Sequence, residues 1–207
     1  GCTRRVARIC GMSGPVTQRV PGARPRLSPT AFAIRVLGIM PHQAQARYLE
    51  CQAKVRVAAC GRRFGKTTAA AIRRLHFAMT RPGSTQLLTA PTADQSRILF
   101  GMIYQMARDS QLSDLIDKVI ESPFPELMLV ARDAAGREVQ SRIMARSVGH
   151  DAKYLRGLGA DSITVDEAAF VPDFVLTQVL PPILSTSRWG ELDLLSTPFG
   201  TAGAFYG

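Results

Sequence analysis

Lys54-Val55-Arg56-Val57-Ala58-Ala59-Cys60-Gly61-Arg62-Arg63-Phe64-Gly65-Lys66-Thr67 decides how the rest of the chain is read. Residues 54–60 have the character of a strand and run into a glycine-containing turn. Thr67 to Met79 follows as a predicted helix, with Ile72, Leu75 and Met79 on one face and Arg73 and Arg74 off it. Strand, small-residue turn and helix in that order build a phosphate-binding loop. Backbone N–H groups converge on phosphate oxygens, a lysine reaches the β- and γ-phosphates, and a hydroxyl ligates Mg2+. The positive end of the helix adds to the attraction. Gly65, Lys66 and Thr67 supply these parts at the required spacing. The Gly-x-x-x-x-Gly-Lys-Ser/Thr pattern places its first glycine where Cys60 stands, and Gly61 comes one step late.

A second stretch, Ser162-Ile163-Thr164-Val165-Asp166-Glu167, reads as an apolar strand ending in two acids. In isolation it also fits an ordinary strand end with solvated carboxylates. Paired with the earlier loop it fits a nucleotide site, in which Asp166 holds Mg2+ and Glu167 orients the attacking water. In a doubly wound sheet both strand ends face one crevice. A third stretch, Leu194-Leu195-Ser196-Thr197-Pro198-Phe199-Gly200, places two hydroxyls at a strand tip before a turn. There they can sense a γ-phosphate, or simply end the strand.

Between these stretches strands and helices alternate. Residues 86–90 form a short strand. Thr92 and Gln95 have capping-box spacing ahead of a helix whose core positions are Ile98, Leu99, Met102, Ile103 and Met106. Leu112, Leu115, Ile116 and Val119 predict a further helix. Glu126 to Arg132 and Arg137 to Ala145 predict a hairpin about Asp133–Gly136. The alternation predicts an α/β fold with a mainly parallel sheet and helices on both faces.

The ordered set resembles the ATPase domain of phage large terminase subunits, the motors that package DNA into procapsids. Pro41-His42-Gln43 resembles that family's adenine-contacting motif, and residues 60–67 its deviant Walker A loop. Leu155-Arg156-Gly157 precedes the Walker B stretch Asp166-Glu167-Ala168-Ala169-Phe170, and Ser196-Thr197-Pro198 matches the coupling motif. The hairpin about Asp133–Gly136 also has a counterpart there. The resemblance spans about residues 36–207. It implies a RecA-like P-loop core of the ASCE type, with an extra strand between the Walker A and Walker B strands. It implies that Gln43 recognises adenine, Lys66 and Arg62 meet the phosphates, and Gly65, Thr67 and Thr68 belong to the nucleotide site. Thr67 and Asp166 would hold Mg2+, and Glu167 would be the catalytic carboxylate. Arg156 would act as an arginine finger on a neighbouring subunit's ATP, and Ser196 and Thr197 would transmit the nucleotide state. The implied partners are double-stranded DNA, a portal protein, a small terminase subunit and further copies in a ring, at a procapsid in the host cytoplasm. The family's polypeptide continues into an RNase H-like nuclease, to which no residue here is assigned. A superfamily 1 or 2 helicase lobe shares the Asp-Glu box, and an inactive nucleotide- or DNA-binding prophage remnant is the non-catalytic alternative.

Composition narrows this reading. The 207 residues hold 26 basic and 16 acidic side chains, a net charge of +10. No acid precedes Glu50, and residues 1–49 carry eight arginines. The body is therefore nearly neutral, and residues 1–29, rich in Arg, Gly, Pro and Ser, read as a basic, disordered arm ahead of an ATPase domain over 30–207. Cys2, Cys10, Cys51 and Cys60 lack zinc-site spacing, and no disulfide framework is predicted. Arg4-Arg5 is followed by Gly14-Pro15, Pro21-Gly22 and Pro25 rather than an apolar core, so no export signal is predicted. No apolar run approaches the roughly 18–20 residues of a membrane span.

Overall fold

The computed structural model describes residues 27–149, 151–198 and 204–205, and the backbone of residues 6–8. Its centre is an eight-stranded sheet. In chain order the strands are β1 (Val6–Arg8), β2 (Val55–Ala59), β3 (Thr85–Ala90), β4 (Ile116–Ile120), β5 (Glu126–Arg132), β6 (Glu138–Ser147), β7 (Ser162–Asp166) and β8 (Glu191–Ser196). In space they run β1-β2-β8-β7-β3-β6-β5-β4. The first six in that order are parallel, and β5 and β4 complete the sheet as an antiparallel edge. Strand β8, last in sequence, lies between β2 and β7. The loop after β2 and the acids after β7 are thus separated by one strand, as the ASCE reading requires. Within residues 1–29, Val6–Arg8 pair with β2, and 27–29 belong to the body. The remainder of the proposed arm lies outside the described residues.

Four helices cover one face: α1 (Pro29–Arg35), α2 (Gln43–Glu50), α3 (Lys66–Thr80) and α4 (Ala93–Arg108). They bury Leu49, Ile72, Leu75, Leu99 and Ile103 against Leu88 and Leu195 of the sheet. Residues 151–160 and 168–184 cover the other face, placing Leu155, Val175 and Leu180 on Leu87, Ile163 and Val165. The expected helices of this second face are short: 3-10 turns, one π turn and α5 (Leu180–Ile183). Residues 173–183 make one helical run of mixed type, with Pro172 just before it and Pro181 and Pro182 in its last turn. Among the described residues no helix is long and apolar enough to cross a membrane.

Three local expectations are corrected. The helix predicted from Leu112 to Val119 is a 3-10 turn, Ser113–Leu115, followed by edge strand β4 paired with β5. So short an apolar run fits either period, and pairing decided it. Ile98, placed in the core by its spacing, is 64% exposed, and α4 instead buries Ser96, Leu99, Phe100, Ile103 and Ala107. Arg73 and Arg74 are not on a solvated face. Helix α3 is enclosed by neighbours, and both arginines are buried.

The burial of those arginines is matched by acids on the central strand. Arg56 on β2 donates to Asp193 on β8 through Nε (2.5 Å) and Nη2 (3.0 Å), and to Glu191 (2.7 Å). Arg74 donates to Asp193 (2.7 Å), Arg73 to Glu191 (3.1 Å), and Arg81 pairs with Glu191 (2.7 Å). Arg73 also donates to the Leu49 carbonyl at the end of α2 (2.6 Å). The cluster therefore ties α2 and α3 to β2 and β8.

Burial alone would raise the Asp193 carboxyl, but Arg56 and Arg74 outweigh it and hold the group below the ordinary range. Glu191 is lowered in the same way, against its burial, by Arg56, Arg73, Arg74 and Arg81. A carboxyl depressed in the native state contributes stability above its unfolded pKa, about 4, and loses that contribution as pH falls through the native value. Chemical denaturation at neutral pH should show Asp193→Asn less stable than the parent by about 3–5 kcal/mol, because two buried guanidiniums lose their partner. The parent should lose stability steadily from about pH 5 downward, and the loss should be shallower in the variant.

Candidate active site

The loop leaving β2 is held by its neighbours. Cys60 N–H donates to the Ser196 carbonyl on β8 (3.1 Å), and Lys66 Nζ donates to the Cys60 carbonyl (3.3 Å). Arg63 and Gly65 have φ of 62° and 79°, in the left-handed region. Gly65 is the N-cap of α3 and supplies no side-chain cap, and the first turn of α3 holds no acid. The leading N–H groups of this helix are thus not capped by a side chain, an arrangement suited to an anion.

At the tip of β7, Asp166 is buried, and Thr67 Oγ1 lies 3.5 Å from its Oδ2. Burial and the neighbouring Glu167 charge raise the Asp166 carboxyl, while the Glu167 N–H, Lys66 and Thr67 act in the opposite direction. Glu167 is in the left-handed region at φ 53°, and its N–H donates to Asp166 Oδ1 (3.0 Å). A non-glycine residue there is uncommon and costs free energy, which the surrounding bonds must offset. The bend turns Glu167 toward the end of β8, where Ser196 Oγ (3.2 Å) and Thr197 Oγ1 (3.4 Å) donate to its Oε2. The hydroxyl pair read as a phosphate sensor is therefore bonded to the second acid.

These groups open onto a cleft of about 550 Å3, whose lining includes Arg62, Arg63, Lys66, Glu167, Phe170 and Thr197. Thr68 is half-buried on the first turn of α3. Arg156 is exposed in the loop after β6 and is not part of the cleft lining. Gln43 is exposed at the first position of α2. The structure thus brings together Arg62, Lys66, Thr67, Asp166, Glu167, Ser196 and Thr197, and leaves Arg156 and Gln43 outside the cleft lining.

Three residues were missed. Gln95 lines the cleft, although its spacing from Thr92 announced only the capping box it also forms. His42 and Gln45 contact the phosphate-binding loop itself, Gln45 through the Gly65 carbonyl (3.1 Å) and His42 through the Phe64 carbonyl (3.0 Å). Their three-residue spacing marks a helix start, but nothing in the sequence points it at a loop 20 residues away.

Comparison with known proteins agrees with this geometry. Residues 58–206 match the family described as terminase large subunit, T4likevirus-type, N-terminal. The large terminase subunit of Thermus phage G20c is 32% identical over 182 residues, which are 84% of this chain and 37% of that protein. The large terminase ATPase domain of Thermus phage P74-26 superposes with a TM-score of 0.72 at 30% identity, covering 88% of this chain and 74% of that one. The HK97 bacteriophage large terminase shares the fold, with a TM-score of 0.68 at 16% identity over 85% of this chain and 38% of its own. The chain spans little more than a third of the length of the curated relative it matches. With β8 between the strand that leads into Gly65-Lys66-Thr67 and the strand that ends in Asp166-Glu167, and a family match over most of its length, the chain belongs to the phage large terminase subunits and corresponds to their N-terminal ATPase domain.

Proposed function

We propose that this chain binds Mg2+-ATP in the cleft and hydrolyses it, and that copies in a ring docked on a portal use that hydrolysis to drive double-stranded DNA into a procapsid in the host cytoplasm. The observation that carries this reading is the approach of Thr67 to Asp166 across 99 residues of sequence, with Glu167 beside them. A hydroxyl and a carboxylate at one point are hard oxygen ligands of the kind Mg2+ takes, with phosphate oxygens and water completing its shell. Among the described residues no group of three or more His, Cys, Asp or Glu could hold a metal by itself. When bound, Mg2+ neutralises charge developing on the phosphates.

The protein's own groups divide the remaining work. The N–H groups at the start of α3 and the Lys66 ammonium receive the β- and γ-phosphates, with Arg62 at the cleft wall and Thr68 on the same turn. Lys66 exchanges the Cys60 carbonyl for phosphate. Glu167 accepts a hydrogen bond from the attacking water and aligns it with the γ-phosphorus. Ser196 and Thr197 hold the Glu167 carboxylate through their hydroxyls. A shift of Glu167 toward water would release them, giving β8 a means to register the nucleotide state. Gln43 contacts adenine from the start of α2. Arg156, exposed and outside the cleft, serves a neighbouring copy's ATP in this reading. The small terminase subunit and the portal are the further partners, and family membership favours this reading over a helicase lobe.

In a turnover assay Glu167→Ala should lose ATP hydrolysis by at least about a hundredfold while retaining ATP binding. Equal turnover would overturn the assignment, and a parent protein that binds ATP without hydrolysing it would identify the non-catalytic remnant. Mixing Arg156→Ala with Glu167→Ala subunits should restore part of the activity that each lacks alone, because an intact finger then meets an intact cleft. Absence of recovery in mixed rings would remove Arg156 from the trans role.

A further inference from the structure

We propose that His42 and Gln45 form a latch that orients the phosphate-binding loop, so that the cap of α2 sets the direction of the N–H groups that receive phosphate. The proposal rests on the nucleotide reading of the cleft and adds two positioning residues to it.

Both side chains are used twice. Gln45 Oε1 accepts the His42 N–H (3.1 Å), and its Nε2 donates to the Gly65 carbonyl (3.1 Å). His42 Nδ1 accepts the Gln45 N–H (3.3 Å), which leaves the proton on Nε2, and Nε2–H donates to the Phe64 carbonyl (3.0 Å). The His42 ring also meets the Phe64 ring edge to face, with centroids 5.1 Å apart. One capping box therefore grips two successive loop carbonyls immediately before Lys66.

A trans peptide points its C=O and its N–H in opposite directions. Holding the Phe64 and Gly65 carbonyls toward α2 and the body of α3 turns the Gly65 and Lys66 N–H groups the other way, toward the cleft. Those are the donors a phosphate needs. The Gly65 carbonyl is fixed from a second side by the Ala69 N–H (3.0 Å). Packing is close: a Cβ on Gly65 would stand 2.4 Å from Gln45 Nε2, and φ of +79° would be strained for any side chain there. A side chain at position 65 would push the Gln45 amide aside and strain the backbone. Gln43, next to His42, sits on the same turn, so a base held there and a phosphate held by the loop are connected through one cap.

The test compares ATP with sodium tripolyphosphate, which carries the phosphates and no base, by calorimetric titration of the chain. His42→Ser keeps a good N-cap and loses the reach to Phe64, and Gln45→Met keeps volume and loses both bonds. Each variant should bind ATP and tripolyphosphate about tenfold more weakly, with the thermal midpoint of His42→Ser close to the parent's. Weaker ATP binding with tripolyphosphate unchanged would mean that these residues read the base, and would overturn the latch. Unchanged binding of both ligands, while Lys66→Ala still loses both, would leave the nucleotide reading standing and overturn the latch alone. A parent chain that binds neither ligand would overturn the nucleotide reading and the latch with it.

Discussion

Asp193 is fully buried between Arg56 of one strand and Arg74 of the helix above, and the arrangement of the site follows from that contact. A carboxylate without water is tolerable only where cations surround it, and a buried guanidinium has the same requirement in reverse. Each therefore specifies the position of the other. Ion clusters of this kind add little net stability compared with a well-packed apolar core, whereas removing one partner is costly. What the cluster supplies here is registry: it seats β8 beside β2 and under α3.

From that seating three strand tips converge. The loop after β2 carries Lys66 and Thr67, β7 ends in Asp166 and Glu167, and β8 ends between them in Ser196 and Thr197. Parallel strands direct their C-terminal ends the same way, so the crevice forms on one edge without further construction. Two of the three positive-φ non-glycine residues among the described residues, Arg63 and Glu167, lie there, together with Gly65. Strain of this kind persists only where surrounding bonds hold it. Around Glu167 those bonds are its own N–H to Asp166 and the two hydroxyls of β8. Around Gly65 they come from Gln45 and Ala69.

The strands were legible wherever a run was either wholly apolar or sharply bounded. Ser162–Asp166 is the clearest case, buried on both faces and ended by acids, and the hairpin about Asp133–Gly136 was marked by its turn residues. The 3.6-residue period misled in two ways. On α3 it placed Arg73 and Arg74 off the apolar face, whereas the helix is enclosed and buries both. At Leu112–Val119 the same apolar spacing was met by pairing with β5. Of the site, the groups that chemistry demands at fixed spacing were legible, since Lys66 must follow Gly65 and a hydroxyl must follow Lys66. Gln45 and Gln95 were not, because as cap residues they are explained locally and their second contact is made far along the chain.

By itself the sequence determined that a strand runs through Gly65-Lys66-Thr67 into a helix, that a second strand delivers two acids, and that strands and helices alternate into a mainly parallel sheet. These follow from local spacing, where covalent geometry and side-chain chemistry leave few choices. Tertiary structure decided what lies beside what: β8 between β2 and β7, four arginines gathered around two acids, hydroxyls on Glu167 instead of open space, and the α2 cap on the loop carbonyls. Those contacts join residues from 20 to 137 positions apart. Burial and charge pairing select them from many alternatives of equal local merit, and that selection exists only once the chain has closed on itself.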